Sequence, residues 1–303
     1  KNRLLTRSFL QVKAMTIATI DIGGTGIKFA SLTPDGKILD KASTATPETL
    51  EELLAWLDQR LSERDYRGIA MSVPGAVHQE TGVIEGISAI PYIHGFSWYE
   101  ALAHHKLPIH LENDANCVGL SELLAHPEIE NAACVVIGTG IGGAMIINGK
   151  LHRGRHGLGG EFGYMTTIEP AERLNNWSQL ASTGNMVRYV IEKSGQTDWD
   201  GRKVYQEAAA GNALCQEAIE RMNRNLAQGL LNIQYLIDPD VISLGGSISQ
   251  NPDFIKGVQK AVDAFVERYE EYTIAPVIQA CTYQADANLY GALVNWLQEE
   301  NQW

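Results

Sequence analysis

Short apolar blocks and alternating positions open the chain. Ile17–Ile22, Ile27–Leu32 and Lys37–Lys41 read as three β-strands. Thr33-Pro34-Asp35-Gly36 supplies the turn between the second and third, through a preset Pro φ and a permissive Gly. Leu50, Leu53, Leu54, Leu57 and Leu61 recur at helical spacing. They predict a helix from Pro47, capped by Thr46. Gly68–Val73 reads as a buried strand, Trp98–His105 as a short helix and Ile109–Leu111 as a further strand.

The pattern then restarts. Ala133–Ile137, Gly143–Ile147 and Lys150–His152 predict three more strands, with Asn148-Gly149 as a hairpin turn. Gln216–Leu236 and Pro252–Tyr272 predict long helices, Asp240–Leu244 and Pro276–Ala280 strands, and Leu289–Glu299 a closing helix. Ile20-Asp21-Ile22-Gly23-Gly24-Thr25-Gly26 opens the first set of strands and Ile137-Gly138-Thr139-Gly140-Ile141-Gly142-Gly143 the second. A βββαβα unit made twice describes two like α/β domains facing a cleft. The expected division is 15–118 with 289–303 as a small N-terminal domain and 119–288 as a large C-terminal one. A short hinge is placed near Cys117–Ser121.

Charge changes the picture by exclusion. Twenty-four basic residues against 36 acidic ones leave a net charge of −12. That argues against nucleic acid or an anionic membrane surface as a general partner. No apolar run approaches the ~18 residues of a membrane span. Residues 1–14 carry Lys1, Arg3, Arg7 and Lys13 and no acid. They read as an upstream extension, with Met15 as the functional start, and not as a cleaved leader. Cys117, Cys134, Cys215 and Cys281 lie far apart with no CxxC pair. They read as buried free thiols of a reducing, cytoplasmic compartment.

Four segments could carry chemistry. The two glycine-rich turns follow buried strands and expose backbone N–H groups, which suits phosphate oxygens. Neither has the Gly-Lys-Ser/Thr of a Walker A loop. Asp21, beside the first turn, reads as a magnesium or metal-water anchor, or else as a turn cap. Lys28 balances its charge or faces solvent. Glu112-Asn113-Asp114-Ala115-Asn116 packs two acids and two amides after a short strand, or else is a helix N-cap cluster, which would need just one such residue. Such groups suit sugar hydroxyls, and one acid could take a proton from an attacking hydroxyl. Gly159-Gly160-Glu161-Phe162-Gly163-Tyr164-Met165 offers a carboxylate and an aromatic ring, or is an ordinary mobile loop. Leu244-Gly245-Gly246 ends a buried strand where a flat ligand such as adenine could approach, or is a plain strand-to-helix turn. The histidines, His104-His105 among them, read as solvated or loop residues. Trp98, Tyr99, Trp177 and Trp296 read as packing, with Trp177 as a further edge for a sugar.

In this order, together with Ser72-Val73-Pro74-Gly75, these motifs resemble the ROK family of sugar kinases, within the actin/hexokinase-like (ribonuclease H-like) ATPase superfamily. The resemblance runs from Met15 to about Gln298. It implies ATP and Mg²⁺, the magnesium near Asp21. It implies Asp114 as general base on a primary hydroxyl, with Gly75, Asn113, Glu161 and Tyr164 at the sugar. Gly23, Gly24, Thr25, Gly138, Thr139 and Gly140 would position phosphates, and Gly245 and Gly246 the adenosine. The partner is then a small-molecule sugar, and homodimers are frequent in the family.

One departure matters. Many members follow the Glu161-type segment with a His and a CxCGxxGC zinc site. Here the His position is Tyr164 and Thr166–Asn176 has no cysteine, so no zinc site is expected. This form looks like the zinc-less members, among them beta-glucoside kinases, in which room at the anomeric position admits a second sugar. The alternatives are a kinase for free hexose or N-acetylhexosamine, a non-catalytic sugar sensor, and an actin-like filament protein.

Overall fold

Ile17–Ile22 (β1) is buried at every position. The topology gives the reason. The computed structural model describes residues 15–168, 174–269 and 271–303. In it β1 is the middle strand of a five-stranded sheet. It pairs antiparallel with Gly26–Leu32 (β2), which pairs antiparallel with Ile38–Ala45 (β3). On its other side it runs parallel to Gly68–Val73 (β4). A hairpin of Ala76–His78 (β5) and Val83–Glu85 (β6) follows. Ile109–Asn113 (β7) lies parallel to β4 at the sheet edge. The register sets Asp21 opposite Lys28 and Ser72, and Ser72 opposite Glu112. Candidate residues therefore gather at the carboxyl ends of the parallel strands, where open α/β sheets bind ligands.

The helix over Leu50–Ser62 (α1) begins later than the leucine spacing suggests. Its cap is Thr49, whose side chain accepts from the Glu52 N–H. Thr46 is drawn elsewhere, its hydroxyl donating to the Gly23 carbonyl at 2.6 Å. Leu53, Leu57 and Leu61 are the buried stripe. Each fully buried leucine is worth about 1.5–3 kcal/mol over an exposed one. The expected helix over Trp98–His105 is shorter, Trp98–Ala101 (α2), followed by a 3₁₀ turn over Ala103–His105.

Contacts divide the chain into two compact units. The first ends at Asp114 and takes in Asn288–Trp303; the second is Ala115–Ala287. Cys117–Ser121, placed above as a hinge, is the buried middle of a helix, Asp114–Ala125 (α3). Its residues Asn116–Leu123 are all buried, so no polar stripe marks it as a helix in the sequence.

The second unit repeats the strand plan. Ala132–Ile137 (β8), Ile141–Ile147 (β9) and Lys150–Leu151 (β10) form antiparallel neighbours. Thr166–Ile168 (β11) and Leu174–Asn176 (β12) pair separately. Helices Trp177–Ala181 (α4), Thr183–Ser194 (α5) and Gly201–Ala209 (α6) follow, none of them expected from the sequence. Ala213–Ile237 (α7) is capped by Asn212. Val241–Gly245 (β13) joins β8 in parallel, and Pro252–Arg268 (α8) leads to Ile278–Ala280 (β14). Ala287–Glu299 (α9) closes the chain. The helix expected to reach Tyr272 ends at Arg268, with Tyr269 as its cap. Buried Glu122 on α3 accepts from the Thr282 N–H at 2.8 Å and from Ser243 Oγ at 3.2 Å.

All four cysteines are free and buried. The Cys134 and Cys281 sulfurs lie 3.7 Å apart. Hydrogen bonding to Cys134, with burial, pushes the Cys281 thiol well above its ordinary range. Among the described residues no helix is long and apolar enough to cross a membrane. The extension read at residues 1–14 lies outside the described residues.

Candidate functional site

Both glycine-rich turns close on themselves in the same way. The Gly23 N–H donates to the Gly26 carbonyl at 3.1 Å, and the Gly138 N–H to the Gly140 carbonyl at 2.9 Å. The first glycine's amide in each loop is thus spent on the turn. The residues that follow are Gly24 and Thr25 in one loop and Thr139 and Gly140 in the other. Gly24 and Thr25 are exposed. A Cβ on Gly24 would approach the Ala89 Cβ to 3.1 Å, so the segment after β6 packs against this loop.

Asp21 is only 6% exposed. Lys28 Nζ donates to its Oδ2 at 3.1 Å, and Asn288 Nδ2 to its Oδ1 at 2.8 Å. Lys28 is therefore the ion-pair partner of Asp21. Each carboxylate oxygen has a second lone pair beyond the one these donors use. A hard oxygen donor of this kind fits a magnesium ion, directly or through water.

Asn113 ends β7. Its Nδ2 donates to the Gly75 carbonyl at 3.0 Å, and its N–H to Glu112 Oε1 at 2.8 Å. Glu112 itself is buried, so it braces the backbone instead of facing a ligand. Asp114 follows as the first, half-buried residue of α3. The structure thus brings Gly75, Asn113 and Asp114 together in the first unit. His94 lies beside Gly75, within 3.2 Å of where a Cβ would stand, and shares a 2.7 Å hydrogen bond with Ser88 Oγ.

In the second unit the Glu161 segment packs closely on its neighbours. Gly160 has φ +91°, and a Cβ there would meet the Ala144 backbone at 2.9 Å. A Cβ on Gly163 would run into the Ile141 carbonyl oxygen. The glycines let the segment lie directly on β9. Glu161 precedes the 3₁₀ turn Phe162–Tyr164, which leaves the Tyr164 ring 72% exposed. Trp177, considered above as a sugar edge, is fully buried against Gly229 and donates to the Asn225 carbonyl.

Gly245 and Gly246 stand beside the second glycine loop. Gly246 has φ +89°, and a Cβ on it would overlap the Ile137 carbonyl oxygen. The start of α5 is equally close: the Gly184 N–H donates to the Gly138 carbonyl at 3.1 Å. Nearby is a cavity of about 610 Å³, lined by residues that include Thr183, Asp200, Gly201, Tyr205, Ser247 and Asn251. Its volume suits a nucleotide. Thr183 Oγ1 and Tyr205 OH are buried with no hydrogen-bond partner. Burial drives the Tyr205 phenol far above its ordinary value. These two hydroxyls can be satisfied by a polar ligand or by water. Sequence reading missed them because α5 and α6 carry no motif and lie far along the chain from Gly245.

Comparison with known proteins decides the family. The ROK family model matches residues 17–299. The chain belongs to the ROK family. A beta-glucoside kinase of Listeria monocytogenes is 35% identical, covering 95% of this chain and 99% of its own length. A beta-glucoside kinase of Klebsiella pneumoniae is 31% identical, over 94% of this chain and 97% of its own. The crystal structure of a ROK family protein from Streptococcus pneumoniae TIGR4, in complex with sucrose, is 88% identical with a TM-score of 0.93. It covers 95% of this chain and 100% of its own. The fold is that of ROK sugar kinases, the actin/hexokinase-like α/β fold. Its activity class is that of an ATP-dependent carbohydrate kinase.

Proposed function

We propose that this ROK kinase transfers the γ-phosphoryl group of ATP to the primary (C6) hydroxyl of a glucosyl unit within a disaccharide such as a β-glucoside. The observation that carries the reading is the match to beta-glucoside kinases along nearly the whole of both chains. The sucrose held by the 88% identical relative supports an acceptor of two sugar units.

Asp114 takes the C6 hydroxyl proton as that oxygen attacks the γ-phosphorus. The bond from phosphorus to the β,γ-bridging oxygen breaks, and ADP leaves. Asn113, its amide oriented by the Gly75 carbonyl, holds a neighbouring hydroxyl, as does Glu161. Tyr164 offers an exposed flat ring to the second sugar. Gly24, Thr25, Thr139 and Gly140 receive phosphate oxygens, while Gly23 and Gly138 shape those turns. Gly245, Gly246, Thr183 and Tyr205 hold the nucleoside and its nearest phosphate. Magnesium at Asp21 would neutralise phosphate charge. No zinc takes part in this reading.

The test is ADP release with gentiobiose, wild type beside Asp114→Ala. The substitution should lower kcat by about 10²–10⁴-fold with the fold intact. Phosphorus-coupled NMR of the product should place the phosphate on C6. Unchanged kcat in the variant, or a phosphate on another carbon, contradicts the reading.

A further inference from the structure

The first unit carries a cluster that the kinase chemistry does not use. His104 Nε2 lies 3.0 Å and His105 Nε2 2.8 Å from the same oxygen, Asp58 Oδ1. The histidines belong to the 3₁₀ turn after α2, and Asp58 to α1, 46 and 47 residues away. Adjacent residues on a turn normally point apart. Here both rings swing to one point, with centroids 4.1 Å apart and planes inclined at 39°. All three ligand atoms lie within 4.8 Å of one another.

We propose that Asp58, His104 and His105 form a binding site for a divalent transition metal of the zinc type. Two imidazole nitrogens and one carboxylate oxygen suit zinc, nickel or copper, and not calcium or magnesium, which take oxygen donors. Zinc bonds of about 2.0–2.1 Å set tetrahedral ligand atoms roughly 3.3 Å apart. The two observed His–Asp separations, 2.8 and 3.0 Å, need a few tenths of an ångström of opening, and the two imidazole nitrogens lie no more than 4.8 Å apart. Two rings now share one carboxylate oxygen; an ion among the three would replace that crowded pair of contacts with three ligand bonds. Side-chain exposures of 56% for His104, 16% for His105 and 46% for Asp58 leave entry open and a fourth position for water. The site is separate from the cysteine zinc motif that this chain lacks after Glu161. Its bound ion would tie the end of α1 to the turn after α2, adding to the stability of the folded first unit.

The experiment is calorimetric titration of the chelator-stripped full chain with zinc chloride, repeated on His104→Ala, His105→Ala and Asp58→Ala. Wild type should bind one ion, and each substitution should weaken binding at least about tenfold, since even outer partners of a metal ligand are worth that much. Zinc should raise the Tm of wild type and leave that of His105→Ala unmoved. ADP release with sugar should be unchanged in all three variants, which separates this test from that of the kinase reading. No saturable binding by wild type, or equal binding by the variants, overturns the proposal.

Discussion

Tyr205 is a residue whose environment calls for a polar partner, a ligand or a water. Its hydroxyl is buried without a partner, beside Thr183 in the same condition. An unsatisfied buried hydroxyl costs the free protein about 1–3 kcal/mol. Tyr205→Phe should therefore raise the Tm of the nucleotide-free protein while raising the KM for ATP. A variant no more stable than wild type, with ATP binding unaltered, would show that the hydroxyl has no such role; calorimetry and steady-state kinetics read both. Asp21 shows a different economy. Its two oxygens are held by Lys28 and Asn288, residues from β2 and α9. The sequence shows Lys28 as a neighbour in a hairpin. It could not show Asn288, which lies 267 residues away.

At the scale of elements, the glycine loops were legible as turns because tight turns after buried strands favour bare backbone, and bare backbone is visible as glycine. The shared closure by Gly23 and Gly138 was not, because it depends on which amide the turn consumes. The start of α1 was misplaced for a related reason. Thr46-Pro47 has the composition of a cap, but Thr46 spends its hydroxyl on Gly23 and so ties the end of β3 to the first glycine loop. Thr46→Val should cost about 1 kcal/mol in urea unfolding and raise the KM for ATP, with kcat less affected. Retained stability and KM would show the tie to be idle. The body of helix α3 reads as a hinge in the sequence because it is buried on nearly every face, and only the polar cluster at its start hints at a helix. Its Glu122 gathers donors from β13 and from the segment after β14. Glu122→Ala strands those donors in a buried place and should destabilise the protein by about 2–4 kcal/mol. A loss under 0.5 kcal/mol, roughly a surface substitution's effect, would mean water replaces the carboxylate.

At the scale of the molecule, the duplicated strand pattern and the ordered motifs were enough to place the chain in its fold and family, which the family match over residues 17–299 establishes. Substrate is a subtler property. The proposed disaccharide acceptor is carried by the match to beta-glucoside kinases; in that proposal exposed Tyr164, on a segment packed against β9 at Gly160 and Gly163, meets the second sugar. Under that proposal free glucose would leave the ring unused, and binding energy realised there would lower the barrier only for the larger substrate. The pair His104-His105 marks the limit of reading along the chain, since its partner Asp58 is brought in only by folding.

The most direct measurement is kcat/KM for ADP release with gentiobiose, cellobiose and sucrose beside free glucose and N-acetylmannosamine. The account predicts that at least one of the three disaccharides exceeds both free sugars. Free glucose or N-acetylmannosamine much preferred over all three disaccharides would contradict it.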